Sequence, residues 1–243
     1  MTTKKKAARA TAPATAEVIA TLERMATKSI RDGMGRYGIP SDHALGISVG
    51  ALRALGKKLG KSHTLALELW ASEIYEARLL ASFVGEADQL TSAQMDRMCR
   101  DFDNWAVCDT MAFALFDKSP HAFGRVKAWS TKKPEFEKRA AFALLASLAL
   151  HDKTATNEAF LKTLPLIARA ASDPRNFVKK GVSWALRHTG HRNAALHRAS
   201  VALARRLAAS SDVPSRWVGK DALRDLERAL VKAKTKARER QPA

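Results

Sequence analysis

The sequence predicts an all-α fold, a curved stack of helix pairs, and three observations carry that prediction. Apolar residues recur at three- and four-residue spacing over most of the chain. Helix-start signals punctuate it, as in Ser172-Asp173-Pro174 and Ser211-Asp212-Val213-Pro214. There the Asp or Ser side chain satisfies free amide groups, and Pro fits a first turn that needs no donor. No run alternates apolar and polar residues as a half-buried strand does, and no hairpin turn pair is present.

The elements follow in order. Helical patterning begins near Ala16, with Val18, Ile19, Leu22 and Met25 on one face. Gly33 to Pro40 breaks it with glycines and a proline, so a loop is expected there. A second helix starts around Ser48 and carries Leu52, Leu55 and Leu59. Helix pairs then follow: His63 to Trp70 with Glu73 to Val84, Ser92 to Phe102 with Trp105 to Phe116, and His121 to Ser130 with Pro134 to Leu150. Asn157 to Ala171 pairs with Pro174 to Thr189, and Ala194 to Ala209 with Pro214 to Leu230. The later pairs recur about every 40 residues, the spacing of HEAT-like helical-repeat solenoids. Their second helices align as Lys138-Arg139-Ala140-Ala141, Lys179-Lys180-Gly181-Val182 and Gly219-Lys220-Asp221-Ala222. In such a stack one set of helices lines the concave side, so a basic concave face is expected. The expected organisation is a disordered basic arm over 1–14, a single repeat domain over 15–230 and a basic tail over 231–243.

Charge points to the partner. The 243 residues are 46% hydrophobic, enough for a core, yet the net charge is +18 and the isoelectric point about 10.3. The arm accounts for +4 and residues 228–243 for +5, leaving +9 on the body. A body basic in its own right attracts phosphate-rich partners. Cys99 and Cys108 form no CxxC pattern, which fits a reducing cytoplasm better than a disulfide framework or a zinc site. No apolar run approaches a membrane span, and the first residues lack a secretory apolar stretch. HExxH and Walker patterns are absent, and no metal, nucleotide or other cofactor is expected.

Candidate site residues come from helix geometry. Trp105 and Asp109 share a face at a spacing of four, and Lys180, Trp184 and Arg187 share another. Taken alone, Trp105 reads as core. Asp109 is harder to dismiss, because Asp is a poor helix former and an acid opposes a DNA-binding face unless it has a task. Trp184 between two cations suits either core packing or stacking beside a phosphate strip. Lys138, Arg139, Lys179, Lys180, Arg187, Arg192 and Lys220 form a recurrent basic set. Arg139 stands out, since it enters an otherwise apolar helix and a guanidinium binds phosphate at two points. Tyr37 is a loop anchor or a DNA contact. The histidines read as surface or satisfied residues, with His188 and His191 near enough to Arg192 to touch phosphate.

Trp105-x-x-x-Asp109, Arg139-Ala140-Ala141 and Phe177 through Trp184-x-x-Arg187 together resemble the DNA alkylation repair enzymes of the AlkD type, HEAT-like-repeat alkylpurine DNA glycosylases. The likeness runs from about Met34 to Leu226. It implies excision of cationic 3- and 7-alkylpurines from double-stranded DNA, with the base left stacked rather than extruded. It assigns Asp109, Trp105 and Trp184 to the damaged nucleotide's sugar. Arg139 falls to the backbone, Arg187 to phosphate, and Tyr37 to the family's N-terminal tyrosine. Asn104 stands where the resemblance implies an aromatic. A monomer in the bacterial cytoplasm, at the nucleoid, is the expected setting. A non-catalytic module for bent, branched or damaged DNA is the alternative, and a protein-binding scaffold a third.

Overall fold

The helix signals act locally, and the computed structural model shows what each one does. It describes residues 14–228 and Val231; the expected basic arm and tail lie outside the described residues apart from Ala14 and Val231. Every regular element among the described residues is helical. Contacts group the chain into two compact units, Met1–Glu86 and Ala87–Ala243, where the sequence reading set one repeat domain.

In the first unit, α1 (Thr15–Arg24), α3 (Val49–Leu59), α4 (His63–Ala71) and α5 (Tyr75–Val84) pack around Leu22, Leu52, Leu69, Leu79 and Leu80, while α2 (Lys28–Gly33) buries no residue. The expected loop contains a 3-10 turn at Met34–Tyr37, closed by Gly38 in the left-handed conformation. Glu76 is fully buried and holds the next segment. Its carboxylate accepts from the amides of Leu45, Gly46 and Ile47 at 2.8, 2.7 and 3.1 Å, so the buried charge is solvated by backbone. Gly46 has φ 83°, and a Cβ there would stand 2.2 Å from the Thr27 carbonyl oxygen. No other residue type fits.

The second unit holds α6 (Ser92–Arg100), α7 (Trp105–Ala114), α8 (Ala122–Trp129), α9 (Glu135–His151), α10 (Asn157–Leu161), α11 (Leu164–Ala170), α12 (Asn176–Gly190), α13 (Ala194–Ala208) and α14 (Val213–Leu226). A 3-10 turn at Phe116–Lys118 follows α7. Side-chain caps start these helices where the sequence offers them. Thr91, Asn104, Thr156, Asn193 and Asp212 each accept from the amide three residues on. The second helices of the pairs pack in succession, α7 on α9, α9 on α12 and α12 on α14. The first helices form the other layer, with α8 on α9 and α13 on both α12 and α14. This is the HEAT-like arrangement.

Burial makes α9 the spine of the unit. Every residue from Arg139 to Ala149 is buried, and an all-apolar helix can be stable only inside a core. One expected helix differs. Residues 157–171 form two short helices, because Pro165 lacks an amide hydrogen to continue the ladder and instead opens α11.

Candidate functional site

Asn104 begins the construction. It is buried and caps α7, its side-chain oxygen accepting from the Val107 amide at 3.0 Å. The cap fixes where α7 starts, which places Trp105, Asp109 and Phe113 at successive turns of one face. An aromatic at 104 would remove this cap.

The neighbouring helix supplies the cation. Arg139, on the buried spine α9, grips Asp109 at two points: Nε donates to Oδ1 at 2.9 Å and Nη2 to Oδ2 at 2.6 Å. Its Nη1 donates to the Phe177 carbonyl oxygen of α12 at 2.8 Å. The guanidinium also lies 5.9 Å from the Phe177 ring centre. Three helices therefore meet at this one side chain. The Arg139 side chain is 8% exposed and that of Asp109 15%. Burial pushes the Asp109 carboxyl above the ordinary carboxylate value, and the facing guanidinium opposes that shift. Three of the guanidinium's five N–H donors are used within the protein.

The aromatic side of the site is built across the same helices. Trp184 of α12 stacks on Phe113 of α7, with ring centres 4.7 Å apart and planes inclined by 6°. Its Nε1–H donates to His188 Nε2 at 2.9 Å. That bond requires a neutral His188 with its proton on Nδ1, which faces the Ala146 carbonyl oxygen at 3.2 Å. Burial, first, and the nearby His191 and Arg187 lower the His188 pKa to about 4, so the ring stays neutral. Trp105, Asp109, Phe113 and Trp184 are all half-buried. Along α7 the carboxylate thus lies between the turn of Trp105 and the turn whose Phe113 carries the second indole.

The remaining cations divide into two groups. Lys180 and Lys220 are exposed on α12 and α14. Lys179 sits 4.8 Å over the Trp217 ring, and Arg187 lies 3.9 Å from the Asp221 carboxylate, which also accepts from Ser183. Lys138 is drawn the other way, to Asp173 at 2.9 Å. Arg175, first, and Lys138 hold the Asp173 carboxyl well below the usual range, so the two cations share one carboxylate at the α11–α12 joint. Arg192 caps the end of α9 through the carbonyl oxygens of Leu148, Ala149 and Asp152. His191 pairs with Asp225 at 2.6 Å, and His188 serves Trp184. Tyr37 is 69% exposed, on the 3-10 turn of the first unit.

Phe113 is the site residue that the sequence reading missed, and His188, read there as a phosphate neighbour, accepts from Trp184 instead. Phe113 repeats the four-residue spacing of Trp105 and Asp109, and was detectable on that ground. Among the described residues no cluster of potential metal ligands occurs, and no helix is long and apolar enough to cross a membrane.

Comparison with known proteins addresses the fold and the family. Solved structures of similar fold include one described as a new family of proteins related to the HEAT-like repeat DNA glycosylases with affinity for branched DNA structures. It is 17% identical with a TM-score of 0.72, over 87% of this chain and 95% of that one. AlkD2 from Streptococcus mutans is 19% identical with a TM-score of 0.57, over 86% and 98% of the two chains. The smu.31 protein of Streptococcus mutans UA159 has the same identity and coverage and a TM-score of 0.56. No curated protein sequence matches. The family model for DNA alkylation repair enzymes matches residues 18–226, both sides of the site included, and the chain belongs to that family.

Proposed function

We propose that the protein is a monofunctional DNA glycosylase that hydrolyses the N-glycosidic bond of cationic 3- and 7-alkylpurines in double-stranded DNA. The observation that carries this reading is the two-point Asp109–Arg139 pair between the turns of Trp105 and Phe113. Alkylation at a ring nitrogen makes the purine cationic and weakens its bond to the sugar. The base departs with the bonding electron pair and becomes neutral, and the sugar is left with oxocarbenium character. Water then adds at C1′ and gives up a proton.

Asp109 faces that developing charge. A carboxylate in a partly buried setting stabilises a cation more strongly than water does. Of the carboxylate's roughly four acceptor sites Arg139 takes two and the Cys108 thiol one, which leaves one for the sugar. The guanidinium holds the group ionised and in orientation, and its spare donors suit the backbone phosphate. The faces of Trp105 and Trp184 add cation–π attraction that grows as the sugar becomes positive. Interactions that strengthen towards the transition state are those that accelerate a reaction. This set acts on the sugar and the backbone, so the base need not leave the stack.

Free base released from methylated duplex DNA is the test. The wild type is expected to release 7-methylguanine or 3-methyladenine, and Asp109→Asn to be slowed about 10²-fold or more. Equal release by both proteins refutes the role of Asp109.

A second reading has its own support. Arg139 engages both oxygens of Asp109, and one similar fold belongs to a family with affinity for branched DNA. A non-catalytic binder of bent or branched DNA would release no base and would bind equally well after Asp109→Asn.

A further inference from the structure

We propose that His151, backed by the buried Asp117, grips a DNA backbone phosphate beside the Trp184–Phe113 stack. The inference rests on the DNA-binding part of the reading above, not on glycosidic chemistry. His151 ends α9, and its ring meets Phe113 edge-on at 5.6 Å between centres. It is therefore next to the aromatic pair that carries the second indole of the site. The histidine side chain is 45% exposed, whereas that of Asp117 is fully buried.

The hydrogen bonds fix how the ring is turned. Asp117 Oδ2 lies 2.6 Å from His151 Nδ1 and also accepts from the Ser147 hydroxyl at 2.6 Å. A carboxylate only accepts, so Nδ1 presents its hydrogen inwards. Nε2 is then on the opposite side of the ring, with no partner among the described residues. Asp117 has unspent capacity as well, since its buried Oδ1 has no hydrogen-bond partner. A buried carboxylate with an unmet oxygen is costly unless a cation balances it. Among the described residues His151 is the cationisable group within 4 Å. With both nitrogens protonated, the ring is a cation held in place by Asp117, and its outer N–H is a donor on a half-exposed surface. The neighbouring Asp152 is turned towards Thr154 and Ala155, whose groups donate to its Oδ1.

The arrangement is that of a positioned anion ligand. Ser147 is fully buried and cannot act as a nucleophile, so the Ser–His–Asp grouping is not a hydrolytic triad. Asp109 and Phe113 are four residues apart on α7, about 6 Å along its axis. A phosphate held at His151 would thus lie near the sugar that Asp109 faces.

Binding of unmodified duplex DNA, followed by fluorescence anisotropy across a salt series at about pH 6, tests the proposal. Loss of one phosphate contact lowers the slope of log affinity against log salt by about 1. His151→Gln, which can still donate to Asp117, is expected to show that loss with a several-fold weaker affinity. His151→Arg is expected to retain the wild-type slope. An unchanged slope in His151→Gln, or a loss in both variants alike, overturns the proposal. Base release from methylated DNA decides the glycosylase reading separately.

Discussion

The indole of Trp184 lies flat on the ring of Phe113, 4.7 Å away and within 6° of parallel. The two come from α12 and α7, which both pack on α9, so the stack bridges the spine of the unit. Its other edge is tied to His188. Stack and hydrogen bond together leave the indole one orientation. Phe113→Leu keeps apolar volume but removes the flat platform. It should lower the rate of base release by roughly 3- to 30-fold, while duplex affinity changes little, because it disturbs orientation rather than charge. Single-turnover kinetics beside a binding titration would separate the two effects.

The Asp109–Arg139 pair gives a pH prediction. Burial raises the Asp109 pKa, and the reaction needs the carboxylate. Activity should therefore fall on acidification through a pKa above the free carboxylate value of about 3.9. Arg139→Ala removes the group that opposes the shift, so the acid limb moves to still higher pH. The same variant leaves a buried charge unpaired and should cost about 3–5 kcal/mol of stability. A rate–pH profile and a denaturant titration would check both.

His188 predicts a pH effect on stability with the sign worked out. Its native pKa is lowered to about 4, while an unfolded histidine titrates near 6.5. On acidification the unfolded chain takes up the proton first. The contribution is present in full above about pH 6.5 and is lost progressively down to about pH 4, by roughly 2–3 kcal/mol at most. His188→Gln should flatten this part of the curve. Protonation also turns Nε2 into a donor facing the Trp184 N–H, so indole fluorescence should change over the acid end of the window.

The lysines separate by what they touch. Lys180 is exposed, whereas Lys138 is half-buried and held by Asp173. Lys180→Ala should reduce the salt slope of DNA binding by about 1. Lys138→Ala should leave the slope near wild type and lower the melting temperature, since Asp173 then keeps Arg175 alone. Equal slopes in the two variants would contradict the division.

Much of this was legible in the sequence because the signals were local. Ser48, Asp212 and the proline at 214 mark helix starts that need only their own backbone, and the repeat of about 40 residues stacks pairs in order. The break at Pro165 was equally local, but the apolar pattern on both sides masked it. Cross-helix partners were not legible. Nothing in the spacing tells that Lys138 meets Asp173, that Arg192 closes α9, or that Arg139 turns to Asp109. Those contacts join residues about thirty to forty positions apart, and they depend on how α7, α9 and α12 sit together. Charge in the sequence counts cations; only packing decides which remain available to an anion.

The spine helix α9 has one further consequence. Arg139 opens the run of α9 that is buried without a break through Ala149, so moving that interior would re-aim its guanidinium. A trimmed side chain such as Leu145→Ala, remote from any nucleic acid, would reach the carboxylate through the shift of that helix. The hydrophobic interior thereby acts as the alignment frame of the polar centre, and selection on one is selection on the other.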